Sequence, residues 1–199
     1  MDPDDAILVC AVQNRAIEAI ADKFEATSIS FITFGRGVVG TAARHTLEKQ
    51  LERNLPDKVK FARAALKAAE KQMKFARAAL KAAEKQMSHH GLELWQKAEL
   101  IAYLAAVKDF RKARMMLKEA ELTAYLAISS TTTALLCTTA AIRAAVHDAR
   151  LNPLIERVKT ACLDEAGSAA DRHVLPIIEC CDQVERFVLF GDTKQLPGV

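Results

Sequence analysis

The sequence of 199 residues lacks the features that would place a chain in several common classes. No apolar run approaches the ~20 residues of a bilayer-spanning helix, so we predict no membrane segment. Its 5 cysteines form no CxxC pair and stand in apolar stretches, which is typical of reduced, packed thiols. The acidic start has no basic region of the kind that opens a secretory signal. These absences predict a soluble intracellular protein, either cytoplasmic or nuclear.

The composition that is present fits one domain that carries an insertion. Apolar residues make up 51% of the chain and charged residues 27%, which is enough for a core and unlike a disordered chain. The formal net charge of +3 hides an uneven distribution. Residues 57–127 carry a net +7, whereas residues 1–56 and 128–199 together carry −4. The sequence therefore predicts a basic inserted segment at 57–127 within a mildly acidic domain.

Two strand patterns on either side of a helix pattern open the chain. Residues 6–12 form a continuous apolar run, typical of a strand buried on both faces, and residues 28–34 are rich in β-branched and aromatic side chains. Residues 13–24 repeat apolar side chains at helical spacing. This succession predicts a βαβ unit and hence a parallel α/β sheet. Further strands are predicted at 134–139, 158–163 and 186–190.

The middle of the chain contains a duplication: residues 60–73 recur without change as residues 74–87. A unit of 14 residues is two heptads, and alternating steps of four and three give an unbroken apolar seam. The seam consists of Ala62, Leu66, Ala69, Met73, Ala76, Leu80, Ala83 and Met87. Residues 88–91 have the composition of a turn, and residues 92–127 contain neither Gly nor Pro. We therefore predict an antiparallel helical hairpin, whose seam also suits a coiled-coil partner through 57–127.

Polar residues that could bind a ligand or take part in catalysis stand at two predicted strand ends. Asp164 and Glu165 follow the strand at 158–163, and residues 191–197 follow the strand at 186–190. Parallel sheets bind ligands at the carboxyl ends of their strands. One acid there can hold the magnesium ion of a nucleotide, a second can activate water, and Gln195 offers a donor and an acceptor beside them. The alternative for the acid pair is a solvated strand end that caps the next helix, where Ser168 and Asp171 fit a capping box.

Taken in order, these strings resemble motifs II and III of the superfamily 1 helicases, and more narrowly those of the nonsense-mediated-decay and senataxin-like group. The resemblance rests on Asp164-Glu165-Ala166 and on Gly191-Asp192-Thr193-Lys194-Gln195-Leu196-Pro197. Residues 8–17 are similar to motif Ia of that family. Residues 34–36 with 45–47, and residues 136–139, are similar to the segments before and after its helical stalk. The resemblance covers nearly the whole chain, with the motifs in the family's order. Only the sequence of the inserted arm at 57–127 has no counterpart in these motifs.

The resemblance implies a fold, a nucleotide site and a partner. The fold would be an incomplete RecA-like P-loop NTPase domain of the α/β class, with the hairpin as its inserted stalk. Asp164 would bind Mg²⁺, Glu165 would activate water, Gln195 would sense the γ-phosphate of ATP, and Asp192 would join Asp164 in the nucleotide site. The path of single-stranded RNA or DNA would be lined by Asn14, Thr138 and Thr139.

The sequence departs from the family pattern in one major respect. It contains no G-x-x-x-x-G-K-[ST] string, which the family carries upstream of motif Ia. Without the amides and the lysine of that loop, the chain has no cradle for phosphates. Smaller departures stand at Gln13, Ser168 and Gly198, where the family usually has Ser, Gln and Pro. We therefore predict a fragment of an ATP-dependent helicase that runs from motif Ia to motif III, lacks the P-loop and is inactive by itself.

Two other functions fit parts of the sequence. One is a helicase-derived module without enzymatic activity, which binds nucleic acid or a coiled-coil partner. The other is an oxidoreductase, because residues 35–40 match a G-x-G-x-x-G dinucleotide fingerprint. No strand-end acid follows about 20 residues later, which favours a plain loop. His89 and His90 have no neighbouring Cys or carboxylate in the sequence, so we predict no metal site there.

Overall fold

A computed structural model describes residues 4–85, 94–169 and 171–191 of the chain. The chain divides into two compact units, one formed by Met1–Asn54 and Tyr125–Val199 and the other by Leu55–Ala124. The first unit contains β1 (Ala6–Ala11), α1 (Asn14–Ala26), β2 (Phe31–Phe34), α2 (Gly40–Arg44), α3 (Leu47–Arg53), β3 (Ala134–Thr138), α6 (Ile142–Val146), α7 (Asn152–Ile155), β4 (Val158–Leu163), α8 (Asp171–Cys180) and β5 (Arg186–Leu189). The second unit contains α4 (Asp57–Lys85) and most of α5 (Leu94–Thr131).

The strands of the first unit form a parallel sheet in the order β2-β3-β1-β4-β5. Strand β1 lies at its centre, with Cys10 opposite Cys137 of β3 and Val9 opposite Cys162 of β4. The predicted α/β fold with a parallel sheet is therefore confirmed. Because every strand runs in the same direction, all the carboxyl ends meet at one edge of the sheet, which is the edge where such sheets bind ligands.

Both faces of the sheet are buried, and this explains the continuous apolar run of β1. Successive side chains of a strand point to opposite faces. Leu8 and Cys10 pack into the core on one face, together with Leu135 of β3. Val9 packs into the core on the other face, together with Ile17 of α1. A polar residue in the middle of β1 would therefore be buried on either face.

Two local predictions differ from the structure. β2 begins at Phe31 and not at residue 28, because Ser28 has a φ of 57° and belongs to the turn that follows α1. The prediction that Ser168 caps the next helix is wrong. Ser168 ends a 3-10 turn (Ala166–Ser168), and α8 begins only at Asp171. Between β4 and α8 the chain passes through the left-handed Glu165 and then the 3-10 turn, and no sequence pattern distinguishes this connection from a direct helix start.

The second unit is the predicted antiparallel hairpin. Arg63 Nη2 near the start of α4 lies 3.0 Å from Glu121 Oε1 near the end of α5, so the two helices run in opposite directions. The predicted seam is the least exposed side of α4, with Ala62 and Ala69 buried and Leu66 half-buried. The predicted turn at 88–91, its His89 and His90, and the last seam position Met87 lie outside the described residues.

Whether the helices of the described residues could span a membrane depends on their length and hydropathy. None of them, including the long α4 and α5, is apolar enough over a sufficient length to cross a bilayer.

Candidate functional site

The predicted acid pair lies in a sharp turn at the carboxyl end of β4. The N–H of Asp164 donates to the carbonyl of Cys10 in the central strand at 2.9 Å, and its carboxylate Oδ1 accepts the N–H of Glu165 at 3.0 Å. Glu165 has φ 56° and ψ 34°, in the left-handed region that residues with a side chain seldom adopt. The backbone therefore fixes the direction in which each carboxylate leaves the sheet.

The start of the second predicted string packs directly against this turn. Phe190, which follows β5, donates its N–H to the carbonyl of Leu163 at 2.8 Å and accepts the N–H of Ala166 at 2.7 Å. A Cβ on Gly191 would lie 2.9 Å from the backbone nitrogen of Gly167, so only glycine permits this approach. Close packing against the turn after β4 is therefore the reason for a glycine at this position. Its neighbours Asp192 and Gln195 lie outside the described residues.

The residues predicted to line the nucleic-acid path stand at the same edge, at the carboxyl ends of β1 and β3. Asn14 begins α1 just after β1, and its side-chain Nδ2 donates to the carbonyl of Arg36 at 3.2 Å. Thr138 ends β3 and is half-buried. Thr139 is only 2% exposed, and its N–H donates to the carbonyl of Ala11 at 3.0 Å. Thr139 thus fastens β3 to β1, while Asn14 and Thr138 remain accessible.

The described residues line two notable clefts at this edge, and Asp164 and Glu165 border neither of these two. A cleft of about 650 Å³ lies at the carboxyl ends of β2 and β3, with Thr138, Arg36, Glu48 and Arg150 among its lining residues. A smaller one of about 510 Å³ lies beside α8 and is lined in part by Thr139. Thr138 and Thr139 therefore border concave surfaces, whereas Asp164 and Glu165 are half-buried outside these two clefts.

An ion network in the larger cleft had no signal in the sequence, because Glu48 is far along the chain from its partner Arg150. Arg150 donates to Asp148 Oδ2 at 2.6 Å and to Glu48 Oε1 at 2.7 Å, and its guanidinium lies 5.1 Å above the ring of Tyr125. The hydrogen bonds from Arg150 lower the pKa of Asp148, and those carboxylates raise the pKa of Arg150. The network gives this wall of the cleft a fixed shape and little net charge.

The glycine-rich string at 35–40 is a connection between β2 and α2. Gly35, Gly37 and Gly40 have φ values of 139°, 75° and 56°, so each is needed for the backbone path. A Cβ on Gly40 would overlap the carboxylate of Glu18. An acid in that place repels phosphate, and α2 is a helix of only 5 residues. These facts favour the plain loop over a dinucleotide site.

The acid pair fits a metal ion that arrives with a nucleotide. No group of three or more His, Cys, Asp or Glu side chains that could hold a metal occurs within the part of the chain that the structure describes. Mg²⁺ usually binds through one or two carboxylates together with substrate phosphates and water. The carboxylate of Asp164, directly after the carboxyl end of β4, suits that arrangement.

The parallel sheet and its carboxyl edge define a RecA-like α/β domain, and comparison with known families gives its relationship. A family model described as an AAA domain matches residues 1–199. The chain belongs to this family, the helicase-like domain family of the senataxin group. Membership in a helicase-like family suggests nucleic acid as the class of ligand. A comparison with curated proteins finds no match.

Proposed function

We propose that the chain is part of the first RecA-like domain of an ATP-dependent superfamily 1 helicase, which couples NTP hydrolysis to movement along a strand. One observation carries the proposal. The turn that holds Asp164 and Glu165 meets the start of the second strand-end string at Gly191, and Asn14 and Thr138 stand along the same edge.

Within this proposal the residues of the nucleotide site divide the chemistry between them. Asp164 would hold Mg²⁺, which when bound neutralises charge on the phosphates of ATP. Glu165 would orient and deprotonate the attacking water, from a position that its left-handed backbone sets relative to Asp164. Asp192 would complete the nucleotide site, and Gln195 would sense the γ-phosphate.

The outer edge of β5 supports the proposal that a larger domain exists around these residues. Among the described strands β5 pairs with β4 alone, and Phe187 and Leu189 are 46% and 62% exposed. Strands of parallel sheets are normally buried on both faces, and exposed apolar edges invite pairing. In the complete domain a further strand would pair with β5, and the phosphate-binding loop would come from outside this sequence.

The strand of RNA or DNA would cross the carboxyl edge over β1 and β3. The amide of Asn14 and the hydroxyl of Thr138 would contact it, since both are accessible there. Thr139 would act as a positioning residue, because its backbone joins β3 to β1 and its side chain is buried.

Binding of a labelled single-stranded oligonucleotide to the full chain tests this path. We expect the N14A/T138V double variant to bind about tenfold more weakly, since it loses two polar contacts. The matched control is N152A/T27V, which removes the same groups at the opposite edge of the sheet, before β4 and β2. Equal affinities of the two double variants would contradict the proposed path.

Incubation of the chain with Mg²⁺ and ATP tests its dependence on the missing loop. We expect no phosphate release above background, and no change on Glu165→Gln. A magnesium-dependent ATPase activity that Glu165→Gln abolishes would overturn the proposal that the chain is inactive alone.

A second candidate function is a non-enzymatic module, in which the arm at 57–127 binds nucleic acid or a coiled-coil partner. The observation in its favour is the exposure of Phe61 and Phe75, at 68% and 78%, on the surface of α4. Affinity that falls with rising salt indicates phosphate contact, whereas indifference to salt indicates apolar helix pairing.

A further inference from the structure

The repeat places lysines and phenylalanines on different flanks of α4. Lys60, Lys67, Lys74 and Lys81 recur at every seventh residue, and all are exposed. They form a straight row with steps of about 10.5 Å. Phe61, Ala68, Phe75 and Ala82 form a second exposed row, one residue further along. At 3.6 residues per turn, the two rows lie about 130° from the seam in opposite directions.

The ion pair between the helices shows which side of α5 lies next to the lysine row of α4. Arg63 lies on the same flank of α4 as Lys60 and Lys67, and it pairs with Glu121 of α5 at 3.0 Å. Arg114 lies one heptad before Glu121, and Lys118 and Arg111 lie three residues before Glu121 and Arg114. These three cations therefore lie on the same flank of α5 as Glu121. We call this surface the basic face: the lysine row with Arg63 and Arg77 of α4, bordered by these three cations of α5.

The positive charge of the hairpin is concentrated on the basic face. Of its acids, Glu70 and Glu121 each pair with one cation, Lys74 at 2.7 Å and Arg63 at 3.0 Å, and Glu84 repeats the position of Glu70. The opposite flank of α4 carries phenylalanine, alanine and glutamine, with Lys71 between the two rows, and the opposite flank of α5 balances Lys108 and Lys112 with Asp109 and Glu119. A merely solvated helix surface mixes both signs around its circumference, so this segregation indicates an anionic partner.

We infer that the basic face is a second nucleic-acid surface, which binds the phosphate backbone of one strand. For the class of partner this inference rests on the proposed function. A stacked strand presents a phosphate about every 3.4 Å, so a lysine every ~10.5 Å meets every third phosphate. Lysine is a flexible point charge, and the contact is therefore independent of base sequence.

A pair of matched variants of the full chain tests the inference. K67Q/K74Q/K81Q removes three members of the row, and K58Q/K108Q/K112Q removes the same charge from other sides of the same two helices. Glutamine keeps the helix propensity in both. The measurement is fluorescence anisotropy of a labelled single-stranded oligonucleotide over a range of salt concentrations.

We expect the row variant to bind on the order of 10- to 100-fold more weakly in about 0.1 M salt, because three phosphate contacts disappear. The slope of log K against log salt should decrease by about 2, at roughly 0.7 per phosphate. The control should keep the slope of the wild type. A K67R/K74R/K81R variant should also keep it, and far-ultraviolet circular dichroism checks the helix content of each chain.

Each other outcome decides a separate point. Equal losses in the row and control variants would show an effect of net charge and overturn the inference. If N14A/T138V loses binding while the row variant keeps it, the proposed path stands and the inference fails. If the row variant loses binding while N14A/T138V keeps it, the inference stands and the proposed path fails. Row-dependent binding to anionic phospholipid vesicles, without binding to the oligonucleotide, would also overturn the inference.

Discussion

At the scale of single residues, the backbone of Glu165 is the most unusual feature of the site. A residue with a Cβ pays about 1–2 kcal/mol for a left-handed conformation, and such strain concentrates at functional positions. The hydrogen bonds of Asp164 and Ala166 on either side hold Glu165 in this conformation. The strain accordingly supports the catalytic role proposed for the carboxylate.

Substitution of Glu165 by glycine and by alanine separates the backbone from the side chain. Both variants lose the carboxylate, but only glycine adopts φ 56° without strain. We expect Glu165→Gly to be more stable than Glu165→Ala by about 1 kcal/mol in urea unfolding. Equal stabilities would mean that the turn relaxes when the side chain is shortened.

Asp148 gives the cleft a dependence on pH. Its pKa is lowered by hydrogen bonds from Arg150, so the pair stabilises the fold fully above the ordinary Asp pKa of about 3.9. This stabilisation is lost as the pH falls through the lowered pKa of the folded state. We expect Asp148→Asn to lower the free energy of unfolding by about 1–2 kcal/mol at neutral pH, and less as the pH approaches about 3. Urea titrations at both pH values measure the difference, and a constant difference would exclude the ion pair as its cause.

At the scale of elements, the edge of the sheet opposite the site depends on Arg157. Its guanidinium donates to the backbone carbonyls of Ser129 at 3.0 Å, Asp4 at 3.1 Å and Thr132 at 2.5 Å. A further bond to Pro153 at 3.0 Å holds α7. One side chain thus joins the end of α5, the start of the chain and the approach to β4.

Removal of this side chain should loosen several elements at once. We expect Arg157→Ala to destabilise the first unit by about 3 kcal/mol, because several carbonyls lose a charged donor together. Arg157→Lys should recover only part of the loss, since a single ammonium cannot span the same carbonyls. Thermal unfolding followed by circular dichroism measures both variants. A loss below about 0.5 kcal/mol, as at an ordinary surface position, would contradict this role.

The elements themselves were largely predictable from the sequence. β4 has the predicted bounds 158–163, and the heptad seam of α4 is its least exposed side. These features depend on periodicity, which burial imposes directly on the sequence. The errors at Ser28 and Ser168 lie in turns, where the backbone conformation depends on what packs against it.

At the scale of the whole molecule, the two units carry different chemistry. The parallel sheet concentrates acids and hydroxyls at one edge, and the hairpin carries the excess of positive charge. A net charge of +3 for the whole chain conceals both. Under the two proposals a nucleotide would bind at the edge of the sheet, whereas a strand would contact both that edge and the basic face of the hairpin.

Thermal unfolding of the full chain distinguishes the two ligands. A ligand that binds only the folded state stabilises it by RT ln(1 + [L]/Kd), or about 2.7 kcal/mol at a hundredfold excess over Kd. We expect a single-stranded oligonucleotide to raise the Tm by several degrees. Mg²⁺ with ATP should leave the Tm unchanged, because the sequence has no phosphate cradle. A comparable shift with Mg²⁺ and ATP would show that the edge of the sheet binds the nucleotide without that loop.

The sequence by itself determined the parallel α/β sheet, the hairpin and the strand ends at which the polar residues stand, since periodicity and order along the chain encode them. Tertiary structure alone decided how those ends are built. It placed Glu165 in a left-handed turn, pressed Gly191 against Gly167, buried Thr139 and joined Arg150 to Glu48. Each of these depends on contacts between residues that are distant along the chain, and local sequence patterns do not encode such contacts.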